Sequence, residues 1–148
     1  MTTIVYDHNK KQIACDSRES ADGFLHNDTA EKFYRRDGVI WFISGHKGDA
    51  NIFIDSFEHN KEAVENVSCG GMYVKDKLVY VAAVENGIYK TSLMDYTDGC
   101  GSGGWMALAA VDLGKSAKEA VEYAITRDLF SGGKIRVFDI ETNKFLQD

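Results

Sequence analysis

The chain has 148 residues, 44 % of them hydrophobic, and a formal net charge of −6. That length and apolar content favour one packed domain over residues 1–148 rather than disorder. The acidic balance argues against a nucleic-acid binder, which usually carries a basic patch.

The three cysteines, Cys15, Cys69 and Cys100, are odd in number and widely spaced. They suggest neither a disulfide framework nor a zinc site, and reduced thiols are the plain reading. No apolar run approaches the roughly 20 residues of a membrane span, and no basic-apolar leader stands at the front. The expectation is a cytoplasmic protein with no metal and no cofactor. The chain contains no proline, so Gly, Asn, Asp and Ser must make its turns.

Residues 2–6 are β-branched and aromatic and predict a strand. His8-Asn9-Lys10 turns, and Gln12 to Asp16 returns. Ala21 to Asn27 is ambiguous, with a short strand around Phe24. Lys32 to Arg35 and Val39 to Ser44 predict a hairpin turning at Asp37-Gly38, and Gly45 to Gly48 breaks the run. Asp49 is placed to cap a helix carrying Ile52, Phe53, Ser56 and Phe57, with weak helical character continuing from Glu62 to Val67. Ser68-Cys69-Gly70-Gly71 reads as a breaker.

Strands follow over Met72 to Val74, Leu78 to Val84 and Ile88 to Thr91. Asn86-Gly87 is a hairpin signal. The run from Gly99 to Gly104 opens a helix from about Trp105 to Leu113. Ser116, with Glu119 three residues on, forms a capping box for a second helix ending near Arg127 or Asp128. Ile135, Val137 and Phe138 begin a last strand, and a short hairpin closes the chain. Strands and helices are segregated rather than alternating, which excludes a doubly wound sheet. Two sheets, each covered by helices, fit best: an αββα sandwich.

Thr2 carries a chemistry of its own. Once Met1 is removed, one residue holds a nucleophilic hydroxyl and a base, its α-amine. An α-amine has a reference pKa of about 7.7–8.0. It can take the hydroxyl proton without a histidine. Each other polar residue has a plainer reading beside the functional one. Lys32 is one lysine on a strand. Asp16 near Arg18 reads as a turn ion pair. Gly45 ends a strand. Gly101-Ser102-Gly103-Gly104 lacks the Lys-Ser/Thr of a phosphate loop, which leaves a helix start, and Asp128 and Ser131 cap and turn.

The ordered set says more than its members. Thr2-Thr3-Ile4-Val5, Asp16-Ser17-Arg18, Lys32, Ser44-Gly45 followed by Asp49, Gly101-Ser102-Gly103-Gly104 and Arg127-Asp128-Leu129-Phe130-Ser131-Gly132-Gly133 span nearly the whole chain. In this order they resemble the successive motifs of proteasome β subunits and of the HslV peptidase, both N-terminal-nucleophile hydrolases.

The resemblance implies a four-layer αββα fold and a threonine peptidase. In that pattern Thr2 is the nucleophile, and Lys32 sets a positive charge beside its hydroxyl. Asp16 holds Lys32, and the Gly45 N–H donates to the oxyanion. Ser102, Asp128 and Ser131 form the polar shell of the free N-terminus. Ser20 and Lys47 fall where the family binds substrate backbone in extended pairing.

The resemblance further implies a peptide or unfolded-protein substrate, a homo-oligomeric ring and an ATP-dependent unfoldase as partner, with no nucleic acid or membrane. The chain departs from the pattern in three places. The first hairpin is about two residues shorter. The stretch between Asp49 and Met72 is much shorter, so the central helical region is reduced. His46-Lys47 replaces small residues, which alters the substrate pocket. The rival readings are a catalytically inactive proteasome-like assembly subunit and an amidohydrolase of the same class acting on a small amide.

Overall fold

The structure is a computed structural model and describes residues 2–58 and 67–147. The first sheet is built from β1 (Ile4–Asp7), β2 (Gln12–Cys15), β10 (Asp98–Cys100), β11 (Arg136–Asp139) and β12 (Lys144–Phe145), in the order β10-β1-β2-β11-β12. The second runs β5-β6-β7-β8-β9: β5 (Phe33–Arg36), β6 (Val39–Gly45), β7 (Cys69–Lys75), β8 (Leu78–Glu85) and β9 (Ile88–Leu93). A separate hairpin, β3 (Glu19–Ala21) with β4 (Phe24–Asn27), projects between them in sequence. Every pairing is antiparallel.

Strand alternation sorts the side chains into three cores. Ile4 and Tyr6 of β1, Ile13 and Cys15 of β2, and Phe138 of β11 meet Ile40, Phe42, Met72, Val74 and Val79 of the second sheet. The intervening residues Val5, Ala14 and Val137 face the other way, onto α2 (Gly104–Asp112) and α3 (Ala117–Ile125). Those helices present alanines, Ala107, Ala110, Ala117, Ala120 and Ala124, so they lie close on the sheet. On the far side Trp41, Ile43 and Ala82 pack against Ala50, Phe53 and Ile54 of α1 (Lys47–Glu58). The layers are therefore helix, sheet, sheet, helix, as the segregated order of elements predicts.

Several boundaries differ from the sequence reading, each for a physical reason. α1 starts at Lys47, so Asp49 is not its cap but sits in its first turn, where a carboxylate suits the helix dipole. Its Oδ2 accepts the Ser68 N–H at 3.1 Å. Cys69, Gly70 and Gly71 are not a breaker; they begin β7 against Gly45, Ser44 and Ile43. Gly71 is demanded by packing, since a Cβ there would lie 1.9 Å from the Phe42 carbonyl oxygen.

The run opening at Gly99 first forms the short strand β10 on β1 before α2 begins. Arg18 pairs with Asp28 rather than Asp16. The ambiguous stretch around Phe24 is the second arm of the β3–β4 hairpin. Weak helical character from Glu62 onward falls largely outside the described residues. The capping box holds: Ser116 Oγ accepts the Glu119 N–H at 3.2 Å and Glu119 Oε1 accepts the Ser116 N–H at 3.0 Å. Asn86 and Gly87 both have positive φ, as a two-residue hairpin turn requires.

Candidate active site

Thr2 and Thr3 lead into β1 and are almost wholly buried, 3 % and 0 % exposed. Alternation sends them apart. Thr2 follows the face of Ile4 and lines a cavity, whereas Thr3 follows Val5 toward the helices. Their backbone lies in a glycine cradle. Gly103 N–H donates to the Thr2 carbonyl at 3.3 Å. Gly101 has φ +86°, and a Cβ there would stand 2.0 Å from the same carbonyl oxygen; one on Gly103 would stand 1.9 Å from Thr3 Oγ1. The Gly101-x-Gly103 spacing is thus explained by close approach of the first strand, with the helix start following from it.

Asp16, just past the end of β2, is completely buried. Its carboxylate takes four donors: Lys32 Nζ at 3.0 Å, Thr3 N–H at 3.0 Å, Gly132 N–H at 2.9 Å and Arg18 N–H at 3.3 Å. The return bond, Asp16 N–H to the Thr3 carbonyl at 3.1 Å, locks the two segments together. Lys32 is 7 % exposed. A buried ion pair of this kind is costly to break, because the survivor is left uncompensated.

The segment leading to Lys32 is pinned from behind. Ala30 N–H donates to the Ser17 carbonyl at 3.0 Å, and Arg136 donates to Ser17 Oγ at 2.6 Å and to the Ala30 carbonyl at 2.7 Å.

Gly45 closes β6 with φ +122°, a conformation side chains resist. A Cβ there would also lie 2.1 Å from the Ser68 carbonyl oxygen. Thr2, Lys32, Gly45, Ser20 and Lys47 all line one cavity of about 650 Å³ between the two sheets' ends and the β3–β4 hairpin. Lys47 Nζ is engaged across it with Glu19 Oε1 at 2.9 Å, and that carboxylate pushes the lysine's pKa up. A second cavity, about 290 Å³, lies at Ser44, Gly70 to Met72 and Asp98 to Gly101, and none of those five residues lines it.

Ser102, Asp128 and Ser131 do not line the cavity; they form a hydrogen-bonded set beneath the Thr2-Thr3 backbone. Asp128 Oδ2 accepts Ser102 Oγ at 2.5 Å and Ser131 Oγ at 2.6 Å, and Oδ1 accepts the Phe130 N–H at 3.1 Å. Burial pushes the Asp128 pKa up, but the two hydroxyls and the amide outweigh it and hold the group below its usual value. With the Ser131 proton committed to Asp128, Thr3 Oγ1 donates to Ser131 Oγ at 2.7 Å.

Four participants escape the sequence reading of roles. Thr3 and Gly132 hold Asp16, Arg136 holds the Lys32 segment, and Glu19 holds Lys47. Strand alternation from Ile4 could have found Thr3. The others depend on contacts more than ten residues apart and leave no local signal.

No protein-family model and no curated protein matches the chain. Among solved structures, eukaryotic HslV from Trypanosoma brucei superposes with a TM-score of 0.72 at 18 % identity, covering 99 % of this chain and 100 % of that one. The likeness shows an HslV-like, proteasome-type fold.

Proposed function

We propose that this chain is a threonine peptidase acting through Thr2 as an N-terminal nucleophile after removal of Met1. The observation that carries the reading is the buried Lys32–Asp16 pair opening on the same cavity as Thr2 and Gly45. A proteasome-type fold around that arrangement supports it.

In this mechanism the Thr2 α-amine takes the proton from Oγ1 as the oxygen attacks the substrate carbonyl carbon. The positive charge of Lys32, oriented by Asp16, favours the incipient alkoxide and a deprotonated amine. The oxyanion of the tetrahedral adduct accepts the Gly45 N–H. Collapse breaks the C–N bond, the leaving amine carries off the proton held by the Thr2 amine, and an ester on Oγ1 remains. Water, activated by the same amine, hydrolyses that ester and restores the hydroxyl. Ser102, Asp128 and Ser131 keep the terminal backbone placed for both steps. Ser20 and Lys47 hold the substrate backbone, and the substrate is a peptide or an unfolded protein. The single domain works as a homo-oligomeric ring fed by an ATP-dependent unfoldase.

The test combines intact mass with fluorogenic peptides. The native protein should begin at Thr2. Thr2→Ala should remove all turnover with the fold intact, and Thr2→Ser should keep part of it, since serine lacks the β-branch that restricts χ1. Equal turnover in wild type and Thr2→Ala would place the activity elsewhere. No turnover from a chain shown to begin at Thr2 would favour an inactive assembly subunit. Turnover of small amides but not of peptides would favour the amidohydrolase.

A further inference from the structure

The charges around the cavity do not balance, and the imbalance has a direction. Three cations line it: Arg18, Lys32 and Lys47. Each already has a carboxylate. Arg18 is held by both oxygens of Asp28, at 2.8 and 2.9 Å. Lys32 is held by Asp16 at 3.0 Å and Lys47 by Glu19 at 2.9 Å.

Two further carboxylates line the same cavity, Glu31 and Asp49. Asp49 accepts the Ser68 N–H at 3.1 Å. Among the described residues neither carboxylate has a cation in an ion pair. Glu31 is exposed and adjoins Lys32 in the chain. With His26, His46 and the Thr2 α-amine in their neutral forms, the cations and their own carboxylates therefore cancel, and the charges of Glu31 and Asp49 are left facing the cavity. The molecule as a whole carries −6, so its long-range field has the same sign.

We infer that the cavity selects a basic residue, lysine or arginine, beside the bond to be cut, with Glu31 as the residue that reads it. This rests on the peptidase reading of the same site. An acidic residue at that position meets two unneutralised carboxylates, an apolar one leaves them without a partner, and only a cation completes the balance. Glu31 suits the role because, among the described residues, its carboxylate has no ion-pair partner. Asp49 is tied to Ser68 and adds to the field.

The experiment uses the full chain beginning at Thr2 and three fluorogenic tripeptide amides that differ only in the last residue, arginine, leucine or glutamate. They are assayed at pH 8, where an ordinary histidine is neutral. The arginine peptide should lead the glutamate peptide by about tenfold in kcat/KM. Glu31→Gln should shrink the arginine-to-leucine ratio by roughly two- to fivefold, the size expected for one exposed charge pair. Raising the salt from 0.05 to 0.5 M should shrink it as well.

Binding of the same peptides to Thr2→Ala, read by fluorescence anisotropy, gives a second measure that needs no turnover. There too the arginine peptide should bind most tightly. Leucine or glutamate peptides cut or bound as well as arginine would overturn the charge inference while leaving the peptidase reading standing. Tight arginine binding without turnover by any peptide would do the reverse. An arginine-to-leucine ratio unchanged in a folded Glu31→Gln would remove Glu31 from the role.

Discussion

Lys32 shows most clearly what a residue's neighbours add to its identity. Read along the chain, it is a lysine on a strand, though β5 begins one residue later at Phe33, and its work looks local and electrostatic. In the fold it is buried against a carboxylate with no exposure at all. Removing it therefore touches stability as well as chemistry. Lys32→Ala should lower turnover by on the order of 10²–10³, the cost of losing a preorganised charge stabiliser. It should also destabilise the fold, by up to about 3–5 kcal/mol, less whatever the three backbone N–H donors on Asp16 offset. Asp16→Asn should weaken turnover by misplacing Lys32, and it turns one acceptor oxygen into a donor facing N–H groups. Urea midpoints measured beside kcat for both variants would separate the two effects. Near-normal turnover in Lys32→Ala would remove the lysine from the mechanism.

At the scale of elements, what was legible is what has a local cause. The capping box of α3, the Asn86-Gly87 turn, the β-branched and aromatic run leading into β1 and the apolar run of β6 are written in stretches of two to six residues. What was misread depends on a neighbour far away in sequence. Gly70 and Gly71 carry no strand propensity, yet they lie in β7 because β6 passes so close that a side chain at 71 would strike the Phe42 carbonyl. β10, three residues long with a glycine at its centre, is a strand only because β1 lies beside it. The start of α1 moved to Lys47 for a similar reason: His46 N–H is taken by the Ser68 carbonyl, which ends the strand and releases the chain into the helix. Gly71→Ala should cost toward the upper end of the range for overpacking, about 3 kcal/mol, because the obstacle is backbone and cannot rotate away. A urea midpoint equal to wild type would show that the sheet opens more easily than its packing implies.

At the scale of the molecule, the site draws on both sheets and on the loop after α3, so it exists only when the sandwich is closed. Thr2, Asp16, Lys32 and Gly45 sit at or beside the ends of strands, where short local motifs mark them. The charge balance leaves no such signal, because the partners Asp28 and Glu19 are chosen by folding. An exposed peptidase site is a hazard to other proteins, and closed cyclic symmetry is the common way identical chains enclose a space. Light scattering should report a cyclic homo-oligomer, six or seven subunits rather than two. A monomer at micromolar concentration would argue for the small-amide or inactive reading.

The two opening threonines are nearly indistinguishable as chemicals, yet the cradle treats them as opposites. Ile4 and Val5 set the phase of β1, Asp16 grips the Thr3 amide and carbonyl, and Gly103 leaves room for that one hydroxyl. A chain shortened by one threonine would still start with threonine once its methionine was clipped. Its terminal hydroxyl would point at Ser131, away from the cleft, and deletion of Thr2 should therefore silence the protein as completely as Thr2→Ala.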